Sequence, residues 1–250
     1  MPRFAATVSY DGEAFVGSQR QSNGRTVQGE IERALETIAG QFVRVDMAGR
    51  TDSGVHAIGQ VAAFTAETRL DATTMGRALN ARLPVDVAVR DVRPVAEDFD
   101  PRRRARRRSY RYTIWNASGR APLLRRTAWH FGGNLDVSAM QQAARALEGQ
   151  QDFMSCSSPL EPGRTSVRTV FRTAWYREGD TLRFDIEANA FLPQMVRRIT
   201  GALVSVGRGA ISVEEFAATL ARAVPGSMGP TAPAHGLCLM NVYYDEGYSP

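Results

Sequence analysis

The stretch Ala48–Ala57 brings together side chains whose types and spacing could do chemistry. Arg50 and Asp52 stand two residues apart, between Gly49 and Gly54. Glycine lets a backbone bend, or approach a ligand, where a Cβ would clash. Strand-like runs flank the stretch, and loops on a rigid scaffold are where catalytic groups tend to sit. Spacing alone leaves two interpretations open: a catalytic loop, or a tight loop whose aspartate accepts hydrogen bonds from nearby backbone N–H groups.

A second candidate region is basic and aromatic. Six arginines occupy residues 102–108, where they repel one another and need a polyanion or solvent around them. Tyr110, Arg111 and Tyr112 follow, and in a strand the two tyrosines point to the same face. Basic residues interleaved with aromatic ones suit stacking on unpaired bases. The alternatives are a solvated run of arginines and, for Tyr112, a core position, which we favour.

A third region is the apolar helix predicted from Leu192 to Val206 and ended by Gly207. Arg197 lies beside its apolar stripe, and a charge next to so apolar a helix is costly unless it is paired. A carboxylate from another loop would be a natural partner. The alternative is an arginine whose head group reaches the surface along its apolar stem.

Composition favours a soluble protein that meets nucleic acid. The chain has 250 residues, 43% of them hydrophobic, and a formal charge of +5. All 31 basic residues are arginine, whose planar fork suits phosphates and bases. A GC-rich genome would also explain the missing lysines.

Neither a metal site nor a cofactor motif is expected. Cys156 and Cys238 lie far apart, and His56, His130 and His235 show no pairing at ligand spacing. The N-terminus is unlike a signal peptide, and no apolar run is long enough to cross a membrane. These features predict a cytoplasmic protein with reduced thiols.

Hydrophobic periodicity predicts an α+β fold made of two ferredoxin-like halves, each of β-α-β-β-α-β order, with an active-site cleft between them. The predicted parts are an N-terminal half (1–98) carrying the catalytic loop, an arginine-rich linker (99–108) and a C-terminal half (109–250). In the first half we predict the strands Arg3–Tyr10, Phe42–Met47, Gln60–Thr65 and Val85–Val95, and helices capped by Thr26 and Asp71. In the second we predict the strands Ser109–Trp115, Thr127–Phe131, Thr169–Arg177, Thr181–Ala188 and Gly236–Asp245, a helix capped by Asp136 and a capping box of Ser212 with Glu215.

Together these stretches resemble the tRNA pseudouridine synthase A family. The motifs that carry the resemblance follow the family's order over nearly the whole chain, and the 49–57 block is the most specific of them. They are Tyr10-Asp11-Gly12 with Phe15, Gly17 and Gln19, then Gly49–Ala57, Arg108–Tyr112, Asn189–Arg197, Thr231-Ala232-Pro233 and Gly236-Leu237.

The resemblance implies that uridines 38, 39 and 40 of the tRNA anticodon stem-loop are isomerised to pseudouridine without a cofactor. It implies that Asp52 is the catalytic carboxylate and that Arg50 fills the gap left by the flipped base. Tyr110 would pack on that base, and Arg197 would pair with Asp52. Leu237 would form an apolar wall of the pocket.

The resemblance also implies a homodimer that binds tRNA. We assign His56 and the arginines of the basic run to substrate binding, among them Arg103, Arg104 and Arg107. Two residues depart from the family: Ser18 stands where tryptophan is usual, and Asp100 where histidine is common. Both are expected to alter how RNA is gripped rather than the chemistry.

Two other classes of protein remain as alternatives. A non-catalytic RNA-binding module of ferredoxin-like order would share the basic, aromatic surface, but it would not need Arg50 and Asp52. An aspartic protease is suggested by Asp52-Ser53-Gly54, but that chemistry needs a second carboxylate, and the sequence has no second such motif.

Overall fold

The computed structural model describes residues 1–245. The chain divides into two compact units: residues 1–107 with the C-terminal segment from Cys238, and residues 108–237. Within the described residues there are five α-helices and ten strands. The predicted α+β class is confirmed.

The first unit begins with the predicted β-α-β-β-α-β order. Its elements are β1 (Arg3–Tyr10), α1 (Val27–Ala39), β2 (Val45–Met47), β3 (His56–Thr65), α2 (Ala72–Asn80) and β4 (Val87–Val95). β1 is antiparallel to both β4 and β3, and β2 is antiparallel to the far end of β3. In this β4-β1-β3-β2 arrangement the side chains of β1 and β3 are largely buried on both faces.

The last strand within residues 1–245, β10 (Leu237–Tyr243), also pairs with β3. It runs parallel to it, with Cys238 opposite His56 and Leu239 opposite Ala57. β10 therefore lies beside the start of β3, directly after the loop that carries Asp52.

The first helix, α1, begins and ends where its sequence predicts. The Thr26 side chain accepts a hydrogen bond from the Gly29 N–H at the N-terminus of α1, and Gly40 adopts a left-handed conformation (φ 70°) at its C-terminus. Between them Val27, Ile31 and Leu35 are buried on one face.

The second unit repeats the order more loosely. Its elements are β5 (Arg107–Trp115), β6 (Trp129–His130), α3 (Val137–Arg145), β7 (Gly149–Asp152), β8 (Val167–Glu178), β9 (Thr181–Ala188), α4 (Met195–Gly207) and α5 (Val213–Ala221). The strands are ordered β5-β9-β8-β7 with antiparallel pairing, and β6 is parallel to β5. The predicted capping box of Ser212 with Glu215 starts α5.

Several predicted boundaries are wrong. The predicted strand 42–47 begins only at Val45, and Val85 is fully exposed ahead of β4. His56 lies in β3 rather than in the loop before it. Leu192 precedes α4, because Gln194 has a φ of 59°, which a helix does not continue through. Strands β2 and β4 thus begin later than predicted and β3 begins earlier, so residue type alone did not locate where these strands start.

Candidate active site

The segment 48–55 between β2 and β3, here called the Asp52 loop, is bonded closely to the loop that follows β1. Asp52 forms an isolated antiparallel bridge with Gly17. Next to it, the Ser18 N–H donates to the Thr51 carbonyl (3.2 Å), and the Thr51 N–H donates to Ser18 Oγ (2.9 Å). Ser53 Oγ donates to the Phe15 carbonyl (3.1 Å). The two residues flanking the candidate carboxylate are therefore both bonded to one neighbouring loop.

Glycines allow this close approach of two loops. A Cβ on Gly12 would come within 2.1 Å of the Val55 carbonyl oxygen, and one on Gly17 within 3.1 Å of the Thr51 carbonyl oxygen. Gly54 adopts a φ of 78°. Gly49 differs, since a Cβ there would meet no atom within 4 Å. The predicted role of Gly49, in bending the backbone or letting it approach a ligand, stays a prediction.

A buried pair of hydroxyl groups, from Tyr10 and Thr51, links the Asp52 loop to β1. Tyr10 Oη and Thr51 Oγ1 are 2.8 Å apart, and both side chains are buried. Burial raises the pKa of Tyr10 to about 12, and the hydrogen bond from Thr51 opposes that shift. The Gln60 side chain donates to the Gly49 carbonyl (3.0 Å), which holds the start of the loop.

The candidate residues of the first unit differ in exposure. Arg50 is exposed and Asp52 is partly exposed, so both can be reached from solvent. His56 is buried, and its Nδ1 accepts a hydrogen bond from the Gly12 N–H (3.0 Å) and lies 3.2 Å from Asp11 Oδ1. The assignment of His56 to substrate binding stays a prediction.

In the second unit, Arg197 lies in the first turn of α4. Its Nε donates to the Ala232 carbonyl (2.8 Å), and the Ala232 N–H donates back to the Arg197 carbonyl (3.1 Å). Further along α4, a Cβ on Gly201 would lie 2.0 Å from the Pro230 carbonyl oxygen. Residues 230–237, here called the strap, are thus packed directly against the helix that carries Arg197.

Tyr112 holds the other part of the strap. Its hydroxyl donates to the Pro233 carbonyl (2.8 Å), and a Cβ on Gly236 would come within 2.6 Å of the tyrosine ring. Burial raises the pKa of Tyr112 well above its ordinary value, and nearby Arg197 opposes that shift. The predicted core position of Tyr112 is confirmed. Leu237, at the end of the strap, is buried as well.

Tyr110 shares the buried face of β5 with Tyr112, as the strand period requires. It is 8% exposed, and its ring meets that of Phe191 edge-on with the centroids 5.0 Å apart. The intervening Arg111 forms a two-bonded ion pair with Asp185, the residue opposite it on β9. Tyr110, Arg197 and Leu237 belong to the second unit, and Arg50 and Asp52 to the first.

The arginine run begins as a turn at residues 101–103 and ends in β5, and the charges of its side chains are partly compensated. Asp100 Oδ1 accepts hydrogen bonds from the N–H groups of Arg102 and Arg103. Arg104 pairs with Asp98 (2.5 Å), and the guanidinium of Arg107 lies over a tyrosine ring of β10 at 5.0 Å. The side chain of Arg103 is 89% exposed, whereas that of Arg104 is 46% exposed.

Ser18 was missed as part of the candidate site. We expected it to alter the grip on RNA, but its side chain is fully buried and bonds the amide next to Asp52. Its partner lies 33 residues away along the chain, and no local pattern signals such a contact.

In residues 1–245, no group of three or more His, Cys, Asp or Glu side chains is placed to hold a metal ion. Over the same residues, no helix is both long and apolar enough to span a membrane.

The sequence matches a family model described as tRNA pseudouridine synthase over residues 6–102 and 143–245. The chain belongs to the tRNA pseudouridine synthase family. Proteins called tRNA pseudouridine synthase A from Chloroflexus aurantiacus and Myxococcus xanthus are each 44% identical to it. These alignments cover 99% of this chain and 90% and 94% of the relatives. A third, from Geotalea daltonii, is 40% identical over 95% of this chain and 97% of its own length.

Family membership makes the chain an isomerase that acts on tRNA and converts uridine to pseudouridine. The protease alternative does not fit this assignment. A solved structure titled "Structure of H/ACA RNP bound to a substrate RNA containing 2'-deoxyuridine" aligns over 81% of this chain and 53% of that chain, with 12% identity and a TM-score of 0.35, too low to add to the argument.

Proposed function

We propose that this synthase acts on uridines 38, 39 and 40 of the tRNA anticodon stem-loop, with Asp52 as its catalytic carboxylate. The observation that carries the proposal is the Asp52 loop itself. It presents a partly exposed carboxylate and the exposed Arg50 from a backbone bonded on both sides of Asp52. A catalytic group needs this combination of access and fixed position.

The reaction is an isomerisation and needs no electrons, phosphate or redox partner. The N1–C1′ bond breaks, the base turns, C5 joins C1′, the C5 proton is released and N1 takes up a proton. Carboxylates suit this chemistry because they stabilise or trap an electron-poor anomeric carbon. Asp52 would act either as the nucleophile at C1′ or as a base on the sugar.

The other candidate residues have proposed roles that follow the family resemblance. The base must leave the stack to be reached, and Arg50 would fill the gap that it leaves. Tyr110 would pack on the target base and Leu237 would wall the pocket. Arg197 would pair with Asp52, and its fixed guanidinium, held at Nε by Ala232, suits a directional partner for a carboxylate.

Release of tritium from C5-labelled uridine in unmodified tRNA tests the catalytic assignment. We expect Asp52→Asn to abolish release while tRNA affinity changes by less than roughly tenfold, or about 1.4 kcal/mol. The carboxamide keeps the shape of the side chain but removes the charge that attacks or accepts a proton. Normal turnover by a folded Asp52→Asn protein would contradict the assignment, and tight binding without release by the parent would favour the RNA-binding alternative.

Substrate variants test the position. Transcripts with cytidine at 38, 39 or 40, singly and together, are labelled at the remaining uridines. We expect release to disappear only when all three positions are changed. Release that survives the triple change would place the target elsewhere in the tRNA.

We propose that the arginine run contacts tRNA phosphates, with Arg103 contributing more than Arg104. Arg103 is largely exposed beside Asp100, whereas Arg104 is closely paired with Asp98. Arg103→Gln should lower tRNA affinity and reduce the slope of log affinity against log salt by about 0.9, the value for one lost phosphate contact. Arg208→Gln, at an exposed position after α4, is the control. Equal slopes for parent and Arg103→Gln would mean that this side chain meets only solvent.

We also propose that the protein is a cytoplasmic homodimer. The dimer comes from the family resemblance, and the location is proposed because the family acts on tRNA. Sedimentation equilibrium of the full chain tests the dimer, since a single species of monomer mass across the micromolar range would exclude it.

A further inference from the structure

Ser18 occupies an unusual place for a polar loop residue. Its side chain is 0% exposed, although the neighbouring residues Gln19 and Arg20 reach solvent. A buried hydroxyl is costly to leave unpaired. Here it accepts a hydrogen bond from the Thr51 N–H at 2.9 Å. The residue after Thr51 is Asp52.

Both backbone groups of Thr51 are bonded to this one residue. The Ser18 N–H donates to the Thr51 carbonyl, and the Thr51 N–H donates to Ser18 Oγ. Any amino acid except proline at position 18 could make the first bond, because it uses the main-chain N–H. The second bond needs a short side chain with an acceptor atom.

Ser18 is in turn fixed to a rigid element. Its carbonyl accepts a hydrogen bond from the Gln28 N–H (2.9 Å), in the first turn of α1. That turn is capped by the buried Thr26. A continuous series of hydrogen bonds thus runs from α1 through Ser18 to Thr51, and the covalent chain leads on to Asp52.

The family resemblance places a tryptophan where this chain has Ser18. An indole has one N–H donor and no acceptor, so it could not receive the Thr51 amide. The fully buried serine site also leaves no room for an indole without rearrangement. The brace at Thr51 is therefore a property of this sequence and is not implied by the family motif.

We propose that Ser18 is a positioning residue for catalysis: its hydroxyl, acting through the amide of Thr51, fixes the backbone from which the Asp52 carboxylate reacts. The inference rests on the catalytic role proposed for Asp52. Without the hydroxyl, the Thr51 amide would be buried without its acceptor, and the loop would shift to satisfy it. A displacement of about 1 Å at a reacting group is enough to lower a rate by up to about 100-fold.

The test compares Ser18→Ala with Ser212→Ala. Each substitution removes a serine hydroxyl that accepts one backbone N–H, but Ser212 caps α5 in the second unit. Single-turnover rates of tritium release, tRNA affinities and thermal unfolding midpoints are measured for both and for the parent. We expect Ser18→Ala to react at least tenfold more slowly with an affinity within twofold of the parent, and Ser212→Ala to react at the parental rate despite a lower midpoint.

Ser18→Cys covers the case in which Ser18→Ala does not fold. The thiol is only slightly larger than the hydroxyl but is a weak acceptor, so the rate of Ser18→Cys should lie between those of the parent and Ser18→Ala. A parental rate for Ser18→Ala, or for Ser18→Cys if only that protein folds, would overturn the inference. A rate that falls only in step with tRNA affinity would also overturn it, because Ser18 would then affect RNA binding.

Asp52→Asn, measured beside these variants, separates the two proposals. If Asp52→Asn is active, the role proposed for Asp52 fails, whatever Ser18 does. If Asp52→Asn is inactive and Ser18→Ala is as fast as the parent, only the positioning inference fails.

Discussion

The Asp52 loop of the first unit and the strap of the second both combine side-chain hydrogen bonds with glycine packing, but in different settings. In the Asp52 loop, the buried hydroxyl of Ser18 accepts the Thr51 N–H, and the Tyr10 hydroxyl bonds Thr51 Oγ1. The strap accepts hydrogen bonds from the Tyr112 and Arg197 side chains, and its backbone also packs on a glycine inside a helix, with Gly201 facing the Pro230 carbonyl.

This difference indicates how each region tolerates change. A side-chain brace can be weakened by deleting one hydroxyl while the fold survives, since a typical hydrogen bond contributes about 1 kcal/mol. Gly201 allows no comparably small change, because even one added methyl group would clash with the Pro230 carbonyl oxygen. Substitutions should therefore affect rate first in the Asp52 loop, and folding first in the strap.

Arg197 should show the largest effect, because its guanidinium is the proposed partner of Asp52 and also donates a hydrogen bond to the strap. Arg197→Met keeps the apolar stem but loses the guanidinium and its bond to the Ala232 carbonyl, while the return bond from the Ala232 N–H remains. We expect the single-turnover rate to fall at least 100-fold while the protein stays folded.

Arg198→Met is the matched control on the same helix. Arg198 bonds the Gly226 carbonyl and the Gln194 side chain, so its loss should lower stability more than rate. Equal rates for the two variants would remove Arg197 from the chemistry. Urea unfolding of both proteins measures the stability side of this comparison.

Two alanine substitutions within α4 sharpen the argument about glycine. In Gly201→Ala the new Cβ would lie 2.0 Å from a carbonyl oxygen, whereas in Gly207→Ala it would lie 2.5 Å from the flexible Met140 side chain. We expect Gly201→Ala to lose at least about 1–3 kcal/mol of unfolding free energy.

Gly207→Ala should change stability by less than about 1 kcal/mol, because the Met140 side chain can move and alanine favours a helix. Equilibrium urea unfolding gives both values. A Gly201→Ala protein as stable as Gly207→Ala would show that the strap yields, contrary to the comparison.

The smallest effect concerns the two buried tyrosines that bond to these regions, Tyr10 to the Asp52 loop and Tyr112 to the strap. Burial raises the pKa of Tyr10 from 10.0 to about 12, and that of Tyr112 is raised as well. A raised pKa means that the folded state holds the proton more tightly, so this contribution is intact below pH 10. It is lost as the pH rises from 10 through the folded-state pKa.

Tyr10→Phe and Tyr112→Phe should each make the loss of stability between pH 10 and 12 less steep by up to about 1.4 kcal/mol per pH unit. Unfolding free energies measured across that range test this expectation. An unchanged pH slope in either variant would mean that its phenol ionises in the folded protein as readily as in the unfolded one.

Much of the secondary structure could be predicted from local sequence. Thr26 and Gly40 bound α1, and Ser212 with Glu215 caps α5, because capping depends on residues within one turn. The strand Arg3–Tyr10 was predicted from its alternating residue types, although both of its faces are largely buried. Boundaries failed where they depend on a strand partner, as at Val45, or on an unusual backbone angle, as at Gln194.

The sequence by itself determined the candidate catalytic residues and the family, because the order of residues 49–57 and of the later motifs is carried by residue type and spacing. Only the tertiary structure decided what holds them. Ser18 bonds Thr51 from 33 residues away, Gly201 leaves room for the strap, and Tyr112 donates to the Pro233 carbonyl. These contacts join segments distant in the chain, and their cost or benefit depends on burial and on atomic distances that no local pattern encodes.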